Sequence, residues 1–205
     1  MKPEYHRHIT IQALDGHVST KALRTIISAN LHQDALRYQF GHDHYHYDNN
    51  SFAEGDAYIE EQRRVTLEAL ARSSASLAWQ AFGRLLHAAQ DFYAHTNYVT
   101  LWRADHPTLT SDEILPLNSA ADWPAPLHSG RLYYPLEALS FVPFIGKAVA
   151  LLLPHDSHAW MNKDDPSRPN FDLAYAAAVK RSGIEFQHVL GSLEPLQQAL
   201  FTGKA

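Results

Sequence analysis

The residues best suited to chemistry are His87, Asp91 and His95, inside the stretch RLLHAAQDFYAHTNYVTLW from Arg84 to Trp102. On a helix of 3.6 residues per turn each step of four advances the side chain by about 40°, so the three share one face. Two imidazoles and a carboxylate are two nitrogen donors and one oxygen donor, which suits zinc or another borderline divalent ion. The stretch is otherwise apolar around Leu85, Leu86, Ala88 and Phe92. An ionised carboxylate buried there needs a partner or a metal. One helix cannot close such a site, so the remaining ligands must come from elsewhere in the chain.

A second concentration of donors lies in the polar loop GHDHYHYDNNSFAEGD, where His42, Asp43, His44, His46 and Asp48 fall within seven residues. Alternation turns such neighbours in different directions, so only one or two can serve a single ion and the others become supporting or solvent-facing groups. Further candidates are His6 and His8 near the start, Asp34, and His155 and His158 in a late polar stretch with Asp156, Asp164 and Asp165. Tyr45, Tyr47, Phe92 and Tyr93 either wall a pocket beside the donors or pack in the core.

The elements that must position these groups read as helices. Residues 4–15 form a short amphipathic helix that stops at Gly16. Ser19 and Thr20 cap a second helix carrying Leu23, Ile26, Ile27, Leu31 and Leu36, with Asp34 in its last turns and Gly41 beyond its end. A polar loop begins at Phe40, and a third helix is expected over 57–71. The long central helix is expected over 75–102 and a last one over 171–190. Residues 105–135 hold many of the prolines and read as a long surface connection. The most apolar stretch, LEALSFVPFIGKAVALLLP, is divided by Pro143, Gly146, Lys147 and Pro154 into pieces far shorter than the roughly 20 residues needed to span a bilayer. It is expected to form a buried helical hairpin, the alternative being an interfacial segment facing lipid. The fold class expected is all-α, a single-domain helical bundle over residues 1–205 with long metal-binding loops.

Composition sets the outer limits. Of the 205 residues, 45% are hydrophobic and 19% charged, the balance of a globular domain. The net charge of -5 and the lack of a Lys/Arg run argue against stable nucleic-acid binding. There is no cysteine and there are 14 histidines, which leaves His, Asp and Glu as the strong metal ligands. The opening MKPEYHRHIT lacks the apolar core of a secretory signal, which leaves three settings open: a cytoplasmic chain, a mature fragment, or a chain exported by a route that needs no such signal.

The order of the motifs resembles the zinc-dependent phospholipase C and P1 nuclease superfamily. The resemblance rests on His6 within HRHIT, Asp34 ahead of His46-Tyr47-Asp48-Asn49, and the H-x-x-x-D pair His87 and Asp91 followed by His95. DFYAHTNYV is more similar to the branch related to the fungal heterokaryon-incompatibility protein HET-C. The likeness runs over about residues 5–165. It implies a mostly helical fold and a cluster of two or three zinc ions that hydrolyses phosphodiesters, with a phospholipid or other phosphodiester as substrate. It also implies that Asp34, His46, His87 and Asp91 hold one ion, that Asp91 bridges to a second bound by His6, and that His95 and His158 hold the third. The acidic ligand that the family places four residues after its last His is Asn162 here, which leaves Asp164, Asp165 or a site of only two metals as alternatives. Asp34, as a ligand facing a metal-bound water, would accept its proton.

Two other readings stand beside this one. A His-Asp metal phosphohydrolase acting on nucleotides would use His42 and Asp43. A noncatalytic HET-C-like protein would carry a structural metal and set its apolar 136–153 segment against a membrane or a partner protein.

Overall fold

The computed structural model describes residues 1–38, 41–119, 122, 126–140, 142 and 144–204. Phe40 and Pro143, expected as the start of a loop and as a break, lie outside the described residues, as do the side chains of Leu36 and Lys147. The fold is all-α: ten helices, with two isolated bridges and no strand among the described residues.

Helix α1 runs Pro3–Leu14 and α2 runs Thr20–His32, where the Ser19 hydroxyl accepts from the Ala22 amide as an N-cap. The second helix is shorter than its apolar pattern suggests. It ends before Asp34, and Leu36–Tyr38 forms a separate 3-10 turn. Helix α3, Phe52–Ala71, begins five residues before the expected 57. Helix α4, Ala75–His95, is the centre of the molecule and touches α2, α3 and the later α9, Phe171–Gly191. From Ala81 to His95 every residue except Arg84 is buried, the signature of a helix enclosed on all sides. A Cβ on Gly83 would lie 2.3 Å from the Ile26 carbonyl oxygen, so the absence of a side chain lets α2 approach α4 closely.

The expected helix over 75–102 is two helices. It stops at His95, where Thr96 turns extended and pairs with Ser129, and resumes as α5, Tyr98–Asp105. The expected surface connection over 105–135 is also revised. Ile114 and Ser129 are fully buried, and the 129–131 backbone is joined by bridges at Thr96 to Ser129, just after α4, and at Arg131 to Ser157. The short helices α6, Leu136–Ser140, and α7, Gly146–Ala150, pack on each other, but Leu139, Val142, Phe144, Leu151 and Leu152 are exposed. The expected buried hairpin is therefore a surface hairpin.

Helix α8, His158–Met161, is a single turn, and α9, Phe171–Gly191, matches the expected last helix closely. A further helix not expected from the pattern, α10, Pro195–Thr202, follows a Glu194 and Gln197 capping box and lays Phe201 against Phe82 and Phe186.

Candidate metal centre

Donors from four separate parts of the chain converge at the buried C-terminal half of α4. The helical spacing sets His87, Asp91 and His95 on one face, as the sequence requires, and all three are buried. Helix α1 contributes His6, also fully buried. The loop after α2 contributes His46 and Asp48. There the backbone turns left-handed at Tyr47, Asn49 and Asn50, φ 57°, 53° and 60°. Alternation sends His46 and Asp48 inward to the donors, while the Tyr47 ring packs edge-on against Phe92 and its hydroxyl donates to Asp56.

Asparagine tolerates the left-handed region better than most residues, and each asparagine makes two hydrogen bonds to residues 129–132. Asn50 exchanges two hydrogen bonds with Ser129, and Asn49 binds the backbone at Gly130 and Leu132. Helix α8 delivers His158 against the same strip. A Cβ on Gly130 would lie 2.6 Å from the His158 Cα, so only glycine permits that approach.

The two oxygens of Asp91 divide the centre. Oδ2 lies 2.9 Å from His46 Nδ1 and 3.0 Å from His87 Nε2. Oδ1 lies 3.1 Å from His6 Nε2, 3.7 Å from His95 Nε2 and 2.5 Å from the Met1 ammonium. Asp34 approaches His87 Nε2 at 3.7 Å. On the far side His158 Nδ1 meets Asp48 at 2.9 Å, while Asp164 stands 3.3 Å from His95 Nε2 and 3.8 Å from His158 Nε2. Three donor groups have ligand atoms within 4.8 Å of one another: His6 with Asp34 and His87, His46 with His87 and Asp91, and Asp48 with His95 and His158.

All seven residues singled out from the sequence, His6, Asp34, His46, His87, Asp91, His95 and His158, thus meet in one place. Asp48, one of five candidates in its loop, is the second inward donor there. The alternatives at the end of the chain of donors separate cleanly. Asn162 donates its amide to the His158 and Ala159 carbonyls, Asp165 turns to Lys2 and Ser167, and Asp164 faces the imidazoles. His8 and His155 are exposed. His42 stacks on Tyr45 and Asp43 accepts from Asn49, both outside the centre.

A layer of hydrogen bonds that sequence reasoning overlooked fixes the orientation of two imidazoles. The Thr10 and Ser182 hydroxyls donate to the carbonyls of His6 and Ala178, so each can only accept from the Gln90 amide nitrogen. Gln90 Oε1 is thereby turned to accept from His6 Nδ1 at 2.7 Å and from the Asn30 amide at 3.2 Å. Asn30 in turn presents its carbonyl to His87 Nδ1 at 3.4 Å. With their Nδ1 protons held, both rings aim an Nε2 lone pair at Asp91. Asn30, alone on the buried face that Ile26 and Ile27 share, was the available signal.

Burial drives both of these imidazoles toward neutrality, with His87 pushed down to about 4. Burial opposes charge at His46 and His158 too, but Asp91 outweighs it at the first, and Asp48 and Asp164 at the second, so both are held as cations more readily than a free His. Burial likewise opposes the Met1 ammonium, yet Asp91, Asp164 and Asp34 raise it to about 11. The Met1 ammonium first, with His95 beside both carboxyls and His158 beside Asp164, overcomes burial to hold Asp91 and Asp164 well below the usual carboxylate range.

The residues fit a group of divalent ions. His6 Nε2 and His46 Nε2 are buried without a hydrogen-bond partner, although His6 Nε2 lies at ion-pair distance from Asp91. The donors are all imidazole and carboxylate, the set zinc accepts when thiolate is absent.

Fold and site together define an all-α domain with a His/Asp-lined interior. The model of the VWA7 N-terminal domain matches residues 8–121, more than half of the chain, and the chain belongs to that family. Over 89 residues, 43% of this chain, it is 38% identical to the rat von Willebrand factor A domain-containing protein 7, and over the same share 36% identical to the human one. The matched stretch is 10% of the length of those relatives. No solved structure matches the chain.

This membership overturns the expected place in the phospholipase C and P1 nuclease superfamily, including its HET-C-like branch. The phospholipase C-like hydrolase, the HD-type phosphohydrolase and the HET-C-like module fall with it. The proton-accepting role of Asp34 depended on that hydrolysis and is carried no further. Short His and Asp motifs report donor chemistry, which unrelated families share.

Proposed function

We propose that this chain is a metal-binding domain that holds two or three divalent ions, zinc foremost, between α1, α4, α8 and the 46–48 loop. The observation that carries this reading is the division of Asp91: one oxygen faces His46 and His87 while the other faces His6 and His95, the disposition of a carboxylate shared between two ions. His46, His87 and Asp34 would complete one side, and His6, His95, His158 and Asp164 the other, with Asp48 holding the His158 ring. An ion bound there would supply the positive charge that four convergent carboxylates call for. It would also tie together elements far apart in the chain.

The test is metal analysis of the purified chain after exposure to equimolar zinc, manganese and iron. About two to three tightly held ions per chain, mainly zinc, are expected from the donor set. Fewer than about one ion per chain, or the same content in D91N as in the unaltered protein, removes the proposal.

A further inference from the structure

Among the described residues, nine of the large hydrophobic side chains that stand exposed lie from Tyr134 to Trp160. Phe144, at the turn between α6 and α7, is 104% exposed, and Leu151 and Leu152 are more than 70% exposed. Single exposed apolar residues are ordinary, whereas a contiguous set marks a surface meant to be covered.

Polar bonds fix the base of the hairpin. The buried Glu137 carboxylate accepts from the Ala159 and Tyr133 amides, the Tyr133 hydroxyl donates to Asp156, and the Trp160 indole donates to the Leu153 carbonyl. The base is thus tied to α8. Charge narrows the choice of occupant. The chain carries -5, yet from Ala138 to His155 there is no Asp or Glu and Lys147 is the single charged residue. Glu137, at the base, is fully buried. An exposed apolar tip with no acidic residue suits a surface with an apolar interior and anionic head groups, since the acids of this chain of net charge -5 lie elsewhere. Neither helix of the hairpin exceeds five residues, so the contact is one of shallow insertion.

We infer that the α6–α7 hairpin is a lipid-facing wedge that seats this domain on the surface of an anionic phospholipid bilayer. The inference stands apart from the metal reading, because none of its residues is a donor.

The experiment is sedimentation of the full chain with vesicles of phosphatidylcholine, with and without phosphatidylserine. The unaltered protein should bind, more strongly with phosphatidylserine present. F144S/L151S/L152S should weaken binding by at least about tenfold, since it removes three exposed apolar groups from the inserting tip. L77S/L196S, at exposed apolar positions elsewhere, should bind as the unaltered protein does. The circular dichroism and metal content of both variants report whether folding is intact. Failure of the unaltered chain to bind overturns the inference. So does equal binding by F144S/L151S/L152S, equal loss in L77S/L196S, or a dimer that depends on the hairpin and excludes vesicles.

Discussion

The metal centre and the α6–α7 hairpin invert the usual partition of side chains in opposite senses. Around α4, carboxylates and imidazoles lie where apolar groups belong, and around Phe144 apolar groups lie where polar ones belong. The centre is surrounded by specific partners: Gln90, Asn30, Thr10 and Ser182 behind His6 and His87, and Asp48 behind His158. Beyond its polar base the hairpin leaves Phe144, Leu151 and Leu152 exposed. Buried polar groups without partners cost far more than exposed apolar ones, so the first region must be built in detail while the second need only be held in place. Loss of a ligand should therefore be felt through the whole fold at the centre, and only at the membrane for the hairpin.

The largest effect is expected at Asp91. In D91N the His46 imidazole and the Met1 ammonium lose their shared counter-charge, a loss of about 3 kcal/mol for a buried group stripped of its partner. Chelation of the unaltered protein should act in the same direction. At free zinc 1,000-fold above Kd one site adds about 4 kcal/mol. For a domain of this size that is a fall in Tm of about 10 °C on removal of the ion. Differential scanning calorimetry with and without chelator checks both, and D91N should show no further fall on chelation. A chelator-sensitive Tm in D91N would show that Asp91 is not the hub.

Next in size is Gln90, which touches no ion. Q90L leaves His6 Nδ1, Asn30 and two hydroxyls to find other partners, about 1–3 kcal/mol in all. Because the His6 and His87 rings lose their fixed orientation, zinc affinity should fall by about 10- to 100-fold. Competition with a fluorescent chelator measures this. Reduced stability with unchanged affinity would show that the network packs the core without orienting the ligands.

The reach of the sequence follows the range of the interactions. His87, Asp91 and the helix that presents them were legible, because helical period and apolar flanks are local. So was the concentration of donors around His46, although not which of them turned inward, because that depends on left-handed turns at Tyr47, Asn49 and Asn50 pinned by residues 129–132. The end of α4 at His95 carried no Gly or Pro signal, since a bridge from Thr96 to the distant Ser129 makes it. Gln90 read as an ordinary helix former. The apolar 136–153 stretch suggested burial because apolarity is the only local cue. The placing of its base against α8 depends on Glu137 reaching Ala159, a tertiary contact. Family membership was misread for a related reason: the donors are shared chemistry, whereas the family is defined over 8–121 as a whole.

A smaller effect is expected at Asp165, on the rim of the centre. The Lys2 ammonium, then the Ser167 groups, hold its carboxyl down to about 2. A carboxyl depressed in the folded state stabilises above its unfolded pKa of about 3.9, and that contribution is lost as pH falls toward 2. Lys2 is 54% exposed, so screening limits the pair to about 0.5 kcal/mol. D165N should lower stability by that amount at pH 7 and by nothing near pH 2, as read by urea titration at the two pH values. A difference that persists at pH 2 would place the role of Asp165 in its turn with Ser167 instead.

The smallest effect on folding is expected where the side chains are most apolar. F144S/L151S/L152S should leave stability within about 0.5 kcal/mol and zinc content unchanged, as substitutions at exposed positions do. This contrast is the severest trial of the two regions. Three large apolar residues removed from a core would cost several kcal/mol, so the variant reports directly on whether that face is packed. A loss above about 2 kcal/mol would mean that Phe144, Leu151 and Leu152 fold back onto the protein, and the hairpin would then be an extension of the core around α8. Neutral stability together with lost vesicle binding would separate a surface that serves contact from an interior that serves the ion.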